Sequence, residues 1–295
     1  MSQLSDAMGG KLGEGIPMSD DQGQEAPLVD PSRLAAAPIS WGVSEVPGWG
    51  HQMLADRVLR EMRELGFGAT EAGPPGWMPD TVGLPVVAGY VAANQMEPVD
   101  RQAAWLAARG ARLLSLGAAD AREGYGAQLR PTSETWEAIR RLEEVCARRG
   151  LTAAVHPHFG SQIETSAHVN ELLERTRVGI CLDTGHFLLG GIDPTLVPPE
   201  RVVLVHLKDV DLALAAAVRD RRIGYHEAVR AGLYRPLGEG QAEIAKVVAW
   251  LEASGYGGWY VVEQDCVLCE EPPVGEGPVE DNRRSLEYLS GRRAT

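Results

Sequence analysis

The sequence predicts an α/β fold, a single (β/α)8 TIM barrel preceded by a flexible arm. Three observations carry that expectation. The chain has 295 residues, and α/β barrels run to about 250. Strand-length apolar runs alternate with helical patterns along most of it. The last three of those runs each close on a residue able to bind a cation, Asp183, His206 and Glu263. Strands apolar on both faces belong to a parallel sheet covered by helices, and such sheets bind ligands beyond their carboxyl ends.

Residues 1–37 are rich in Gly, Ser, Asp, Pro and Gln without sustained periodicity, and read as a mobile arm ahead of a barrel over 38–295. Pro38 to Val43 is the expected first strand, running into a loop that carries Glu45, Trp49 and His51. Met53 to Leu65 has helical spacing, with Val58, Met62 and Leu65 on one side and Gly66 as its stop. Ala69 to Gly73 is a second strand that includes Glu71, Val86 to Val91 a third, and Arg112 to Gly117 a fourth. Helices are expected over Pro98–Arg109 and over Ser133–Arg149, the latter opened by Thr132 or Ser133 with Glu134 and Glu137 at the positive end of its dipole. Leu151 to Val155 is a fifth strand ending in His156-Pro-His158, and Ser166 to Arg175 a helix.

Val178–Asp183, Val202–Leu207 and Trp259–Glu263 complete a count of eight strands. No G-x-G-x-x-G follows the first strand, which disfavours a dinucleotide-binding sheet. Between the seventh and eighth strands the connection from Asp211 to Gln241 is long, as loops that shape barrel pockets often are.

An Asp, a His and a Glu at successive strand ends suit a divalent cation such as Mn2+, Mg2+, Co2+ or Zn2+ and leave positions for substrate oxygens. Taken singly, Asp183 also suits an Asx turn, His206 a core histidine and Glu263 a cap; their coincidence favours the metal. Lys208 suits either an oxyanion or a pairing with Asp209 or Asp211. Trp41, Trp49 and Tyr234 suit either the mouth of a site or packing.

The net charge of −13 argues against nucleic acid as a partner. No apolar run is long enough to span a bilayer and no leader pattern opens the chain, so the expected location is cytoplasmic, with a homodimer as the default assembly. Four cysteines do not make a disulfide framework, and Cys266-Val-Leu-Cys269 lacks the second pair or helix context of a zinc or redox site.

Leu182-Asp-Thr-Gly-His186, His206-Leu-Lys-Asp209, Pro236-Leu-Gly-Glu-Gly240 and Val262-Glu-Gln264 together resemble the xylose isomerase-like superfamily of sugar isomerases and epimerases. Ile39-Ser-Trp-Gly42, Val46 to His51, Glu71-Ala-Gly-Pro74, His156-Pro-His158 and Tyr234-Arg-Pro-Leu-Gly238 are similar to its inosose dehydratase branch, and the likeness runs from Pro38 to Leu289. The resemblance implies one divalent ion, Mn2+ or Co2+ foremost, held by Asp183, His206 and Glu263, with His186 and Arg235 as substrate contacts. Where the epimerases have a glutamate ending the fifth strand this chain has His156, which leaves the fourth ligand to His156, His158 or water; Glu164 is expected at the surface or as a cap.

The resemblance further implies a cyclic polyol ketone, such as 2-keto-myo-inositol, that loses water through a metal-stabilised enolate. Glu71, His156, His158 and His186 are the acid and base candidates, and Glu263 is expected to serve the chemistry as well as the ion. Glu45, Trp49, His51, His186, Lys208 and Arg235 are expected around the substrate. The alternative is a keto-sugar isomerase or epimerase with the same metal and enediolate chemistry. A noncatalytic barrel is disfavoured by the three ligand candidates, and an endonuclease by the acidic charge.

Overall fold

A computed structural model describes residues 26–78, 83–118 and 129–291. Most of the stretch expected as an arm, residues 1–25, lies outside the described residues. The first strand is β1, Leu34–Ala36, inside the segment assigned to the arm. The expected strand at Pro38 to Val43 is instead a 3-10 turn over Pro38–Trp41 that ends on Gly42 at φ 75°. Pro38 offers no backbone donor to a ladder, and Leu-Ala-Ala carries little of the β-branched signal that marks a strand.

The elements continue as α1 (Ala55–Leu65), β2 (Ala69–Thr70), β3 (Ala88–Ala92), α2 (Val99–Ala108), β4 (Leu113–Gly117), α3 (Ser133–Arg149), β5 (Thr152–His156), α4 (Ser166–Arg175) and β6 (Gly179–Asp183). Then come α5 (Thr184–Gly190), β7 (Val202–Leu207), β8 (Asp209–Val210), α6 (Leu212–Arg219), α7 (Tyr225–Arg230), β9 (Tyr234–Arg235), α8 (Ile244–Ala253), β10 (Tyr260–Val262) and α9 (Pro278–Leu289). Helices α3 and α4 have the expected limits. Thr132 caps α3 from both sides of a capping box, and Gly66 ends α1 in the left-handed conformation.

Eight strands form one parallel sheet in the order β2-β1-β10-β7-β6-β5-β4-β3. Backbone bonds from Thr70 N to Pro85 O at 2.9 Å, Val87 N to Thr70 O at 3.0 Å and Ala72 N to Ala88 O at 2.8 Å join its two edges, closing the barrel. A large apolar layer packs the outer face of the sheet against the helices. Inside the barrel a second layer of apolar residues includes Ala69, Ala154, Cys181, Leu204 and Val261. Side chains alternate along a strand. Each of these residues therefore lies directly beneath the one two places on, namely Glu71, His156, Asp183, His206 and Glu263.

The long connection between β7 and β10 folds into a cap. β8 and β9 pair antiparallel, with Asp209 opposite Arg235. Helices α6 and α7 bury a third apolar cluster with Trp49, Phe159 and Tyr234. Asp209 fixes the return of this cap: its buried carboxylate accepts the backbone N–H of Val210 at 2.9 Å, Gly238 at 2.9 Å, Gly240 at 3.0 Å and Ala242 at 2.8 Å. No helix among the described residues is long and apolar enough to cross a membrane.

Candidate active site

The strand ends converge as their parity requires. Asp183 closes β6 and caps α5, its Oδ1 accepting the His186 N–H at 2.9 Å. Its Oδ2 lies 3.4 Å from His156 Nε2, 3.6 Å from His206 Nδ1 and 3.3 Å from Lys208 Nζ. His206 stands between two acids, with Nδ1 2.8 Å from Glu263 Oε2 and Nε2 3.0 Å from Glu71 Oε1. All of these side chains are buried.

Lys208 is fully buried and pairs with neither Asp209 nor Asp211. Its Nζ lies 2.5 Å from Glu263 Oε1, 3.0 Å from Asp265 Oδ1 and 3.3 Å from Asp183 Oδ2, and 4.8 Å from the centre of the Tyr234 ring. Asp209 is occupied by the cap's backbone, while Asp211 caps α6 and binds Arg235. The close turn at Gly185 makes room for the lysine, since a Cβ there would stand 2.8 Å from Lys208 Cγ.

Electrostatics follow this geometry. Desolvation opposes charge on Asp183, but Lys208 and then His186 hold its carboxyl well below the usual range. Glu263 is likewise lowered against desolvation by His206 and Lys208. Burial disfavours the charged forms of His206 and Lys208, yet surrounding acidic groups raise both: Cys181, itself a thiol that burial pushes up to about 11, then Glu263 and Glu71 for the histidine, and Asp183, Asp265 and Glu263 for the lysine. Asp265 is raised to about 6, chiefly by desolvation.

His158 and His186 are held neutral. Desolvation, then His156 and Lys208, lowers His158 to about 3, and desolvation, His158 and Lys208 push His186 well below its ordinary value. Hydrogen bonding assigns their tautomers. His158 Nδ1 donates to the Phe159 carbonyl at 2.7 Å, making Nε2 its acceptor nitrogen. Lys208 Nζ donates to His186 Nε2 at 3.2 Å, so the proton of His186 sits on Nδ1, which has no hydrogen-bond partner.

The donor set fits a divalent cation. His156, Asp183 and His186 offer one ligand atom each within 4.8 Å of one another, as do Glu71, His206 and Glu263. Asp183 Oδ2, both ring nitrogens of His156 and His206 Nδ1 are buried without an aligned hydrogen bond, despite their short ionic contacts. Buried polar atoms are ordinarily satisfied, and carboxylate oxygen with imidazole nitrogen is a common ligand set for divalent transition metals.

Other expected residues lie elsewhere. Glu45 is exposed on the loop after the first turn, and desolvation, more than the charge of Glu263, raises its carboxyl. Trp49 is buried under the cap, its indole N–H bound to the Cys266 carbonyl at 2.9 Å. Trp41 is buried too and donates to Glu61 at 3.0 Å. His51 lies 3.9 Å from Glu271, outside the cluster. Arg235 turns to Asp211 at 2.9 Å with its side chain part-exposed. Glu164, expected at the surface or as a cap, is buried where the turn after β5 folds back against Gly190, with one carboxylate oxygen unpartnered, and Thr165 caps α4 instead. Cys266 and Cys269 are free thiols.

Sequence reading did not assign Asp265 or Tyr225. Tyr225 Oη donates to Asp265 Oδ2 at 3.1 Å and meets Tyr234 Oη at 2.7 Å, tying the cap to the lysine's counter-ion. Asp265 stands two residues after Glu263, as Lys208 does after His206, and that parity was the available signal.

A profile of the xylose isomerase-like TIM barrel family matches residues 55–289. The inosose dehydratase of Geobacillus kaustophilus is 28% identical over 296 residues, covering 88% of this chain and 94% of that protein. The rhizopine catabolism protein MocC of Rhizobium meliloti is 30% identical over 266 residues, covering 79% of this chain and 81% of its own length. Among solved structures, the IolI protein with a bound zinc atom superposes with a TM-score of 0.63 at 12% identity, covering 88% of this chain and 98% of that one. The probable 3-DHS dehydratase AsbF from Bacillus anthracis gives 0.61 at 13%, covering 88% and 100%. These two likenesses concern the fold. Sequence, closed barrel and strand-end cluster agree: the chain is an enzyme of the xylose isomerase-like TIM barrel family and resembles, within it, the inosose dehydratases.

Proposed function

We propose that this enzyme is a divalent-metal-dependent dehydratase of a cyclic polyol ketone, 2-keto-myo-inositol or a close relative. The observation that carries the reading is the buried run of contacts from His156 to Asp183 at 3.4 Å, Asp183 to His206 at 3.6 Å and His206 to Glu263 at 2.8 Å, in a chain similar along most of its length to inosose dehydratases. Asp183, His206 and Glu263 would hold the ion, with His156 as the fourth protein ligand and Mn2+ or Co2+ as the leading candidates. When bound, the ion supplies Lewis acidity at the substrate carbonyl, where enolate charge develops.

The remaining work belongs to side chains. Glu71, hydrogen-bonded to His206, would take the proton from the carbon beside the ketone. The hydroxyl on the next carbon then leaves as water with one added proton, and the resulting enol ketonises to a dione. The Lys208 ammonium would stabilise the developing oxyanion, the Nδ1–H of His186 would donate to a substrate oxygen, and His158 Nε2 would accept from a hydroxyl. His158 in this tautomer is an acceptor and His156 would be a ligand, so the leaving hydroxyl would take its proton back from the protonated Glu71.

Incubation of the metal-loaded protein with 2-keto-myo-inositol tests the reading. Loss of one water by mass spectrometry and growth of a dione ultraviolet band are expected. An epimer of unchanged mass apart from solvent deuterium at one carbon would refute dehydration and favour the isomerase alternative.

A further inference from the structure

Beneath the strand-end cluster, the interior layer of the barrel is aliphatic at four of the five positions that underlie it: Ala69, Ala154, Leu204 and Val261. The fifth is Cys181, fully buried on β6 and two residues before Asp183 on the same face. Its Sγ and one ring nitrogen each of His156 and His206 lie within 4.8 Å of one another. His156, 4% exposed, has no hydrogen-bond partner at either nitrogen. Two imidazoles and a thiol thus converge at the depth where the strand-end ligands give way to aliphatic packing.

We infer that Cys181 supplies a sulfur ligand, with His156 and His206, to the metal of this centre, so that the site selects a thiophilic divalent cation, cobalt or zinc, over manganese or magnesium. The inference rests on the divalent-metal reading above and deepens it. Thiolate and imidazole donors favour zinc and cobalt, whereas manganese and magnesium prefer oxygen. Zinc–sulfur bonds of about 2.3 Å and zinc–nitrogen bonds of about 2.0 Å place neighbouring ligand atoms roughly 3–4 Å apart, a small contraction of the present group. Coordination replaces the thiol proton, which leaves to solvent as the metal binds.

Cobalt titration of the metal-free protein reads the ligand directly. The wild type is expected to develop visible d–d bands together with a near-ultraviolet sulfur-to-cobalt charge-transfer band. In Cys181→Ala and Cys181→Val, the second filling the vacated space, the d–d bands persist and the charge-transfer band is lost. The preference for zinc over manganese falls at least tenfold in both. Cobalt d–d bands in the wild type without the sulfur band, or a sulfur band retained in both variants, would overturn the inference and leave the metal centre standing. Absence of cobalt binding altogether would overturn both.

Discussion

Replacing Lys208 with methionine removes one charge and little volume from a position with no solvent access. Four carboxyl groups, Glu71, Asp183, Glu263 and Asp265, surround that ammonium and the His206 imidazole. Three of them lie within 3.3 Å of Nζ. Removing one partner of a buried pair costs about 3–5 kcal/mol, because the charge left behind is uncompensated. For a domain of this size each kcal/mol moves the melting temperature by roughly 2–4 °C, so the metal-free variant should melt roughly 6–20 °C below the wild type. A bound divalent cation would offset the same excess of negative charge, and the gain in melting temperature on adding Mn2+ or Co2+ should be larger in Lys208→Met than in the wild type. Thermal unfolding followed by circular dichroism, with chelator and with metal, measures both quantities. A metal-free variant melting within about 2 °C of the wild type, with an equal response to metal, would refute the assignment of Lys208 as the internal counter-cation.

Glu263→Gln should keep the fold but lose metal affinity by on the order of 100-fold, with activity lost alongside; metal content after dialysis and circular dichroism check the two halves. Asp209→Ala strips the acceptor from four backbone donors, should cost about 3–5 kcal/mol in urea unfolding, and should speed amide exchange at residues 238–242. Tyr225→Phe removes the hydroxyl that bridges Tyr234 and Asp265 and should cost about 1–2 kcal/mol by the same measurement. Combining Lys208→Met with Asp265→Leu should recover part of the loss of the first substitution, with a coupling of about 0.5–3 kcal/mol, since the pair at 3.0 Å is then removed together; strict additivity would deny the contact.

The barrel was legible because its strands are apolar on both faces and its helices carry their own stops. Thr132 and Gly66 work locally, so their effect can be read without knowing the fold. The cluster was legible for a related reason: period-two alternation and the parallel register place Asp183 beside His206, and Val261 beside His206. The partner of Lys208 was not. Asp209 and Asp211 are its neighbours along the chain, but the cap's backbone claims one and α6 with Arg235 claims the other. Its true partners come from β6 and the end of β10, a choice made by register and curvature rather than by sequence separation. The partners of Arg235 and Trp49 were hidden in the same way. Their loops run past the mouth in sequence, whereas the fold commits Arg235 to Asp211 and the Trp49 indole to Cys266.

Burial of so many charged groups is costly, and packing does not require it at this place. Two residues earlier on the same strands, Ala69, Ala154, Leu204 and Val261 fill the barrel with aliphatic side chains and hold it closed. The apolar layer stops abruptly at Glu71, His156, Asp183, His206 and Glu263, and the cap reaches over them with Tyr225 and Tyr234 directed at the counter-ion of Lys208. Stability alone would favour continuing the aliphatic layer upward. The charged layer instead leaves Asp183 Oδ2 and both ring nitrogens of His156 buried without an aligned hydrogen bond, a cost that folding alone does not explain and that the proposed cation would offset.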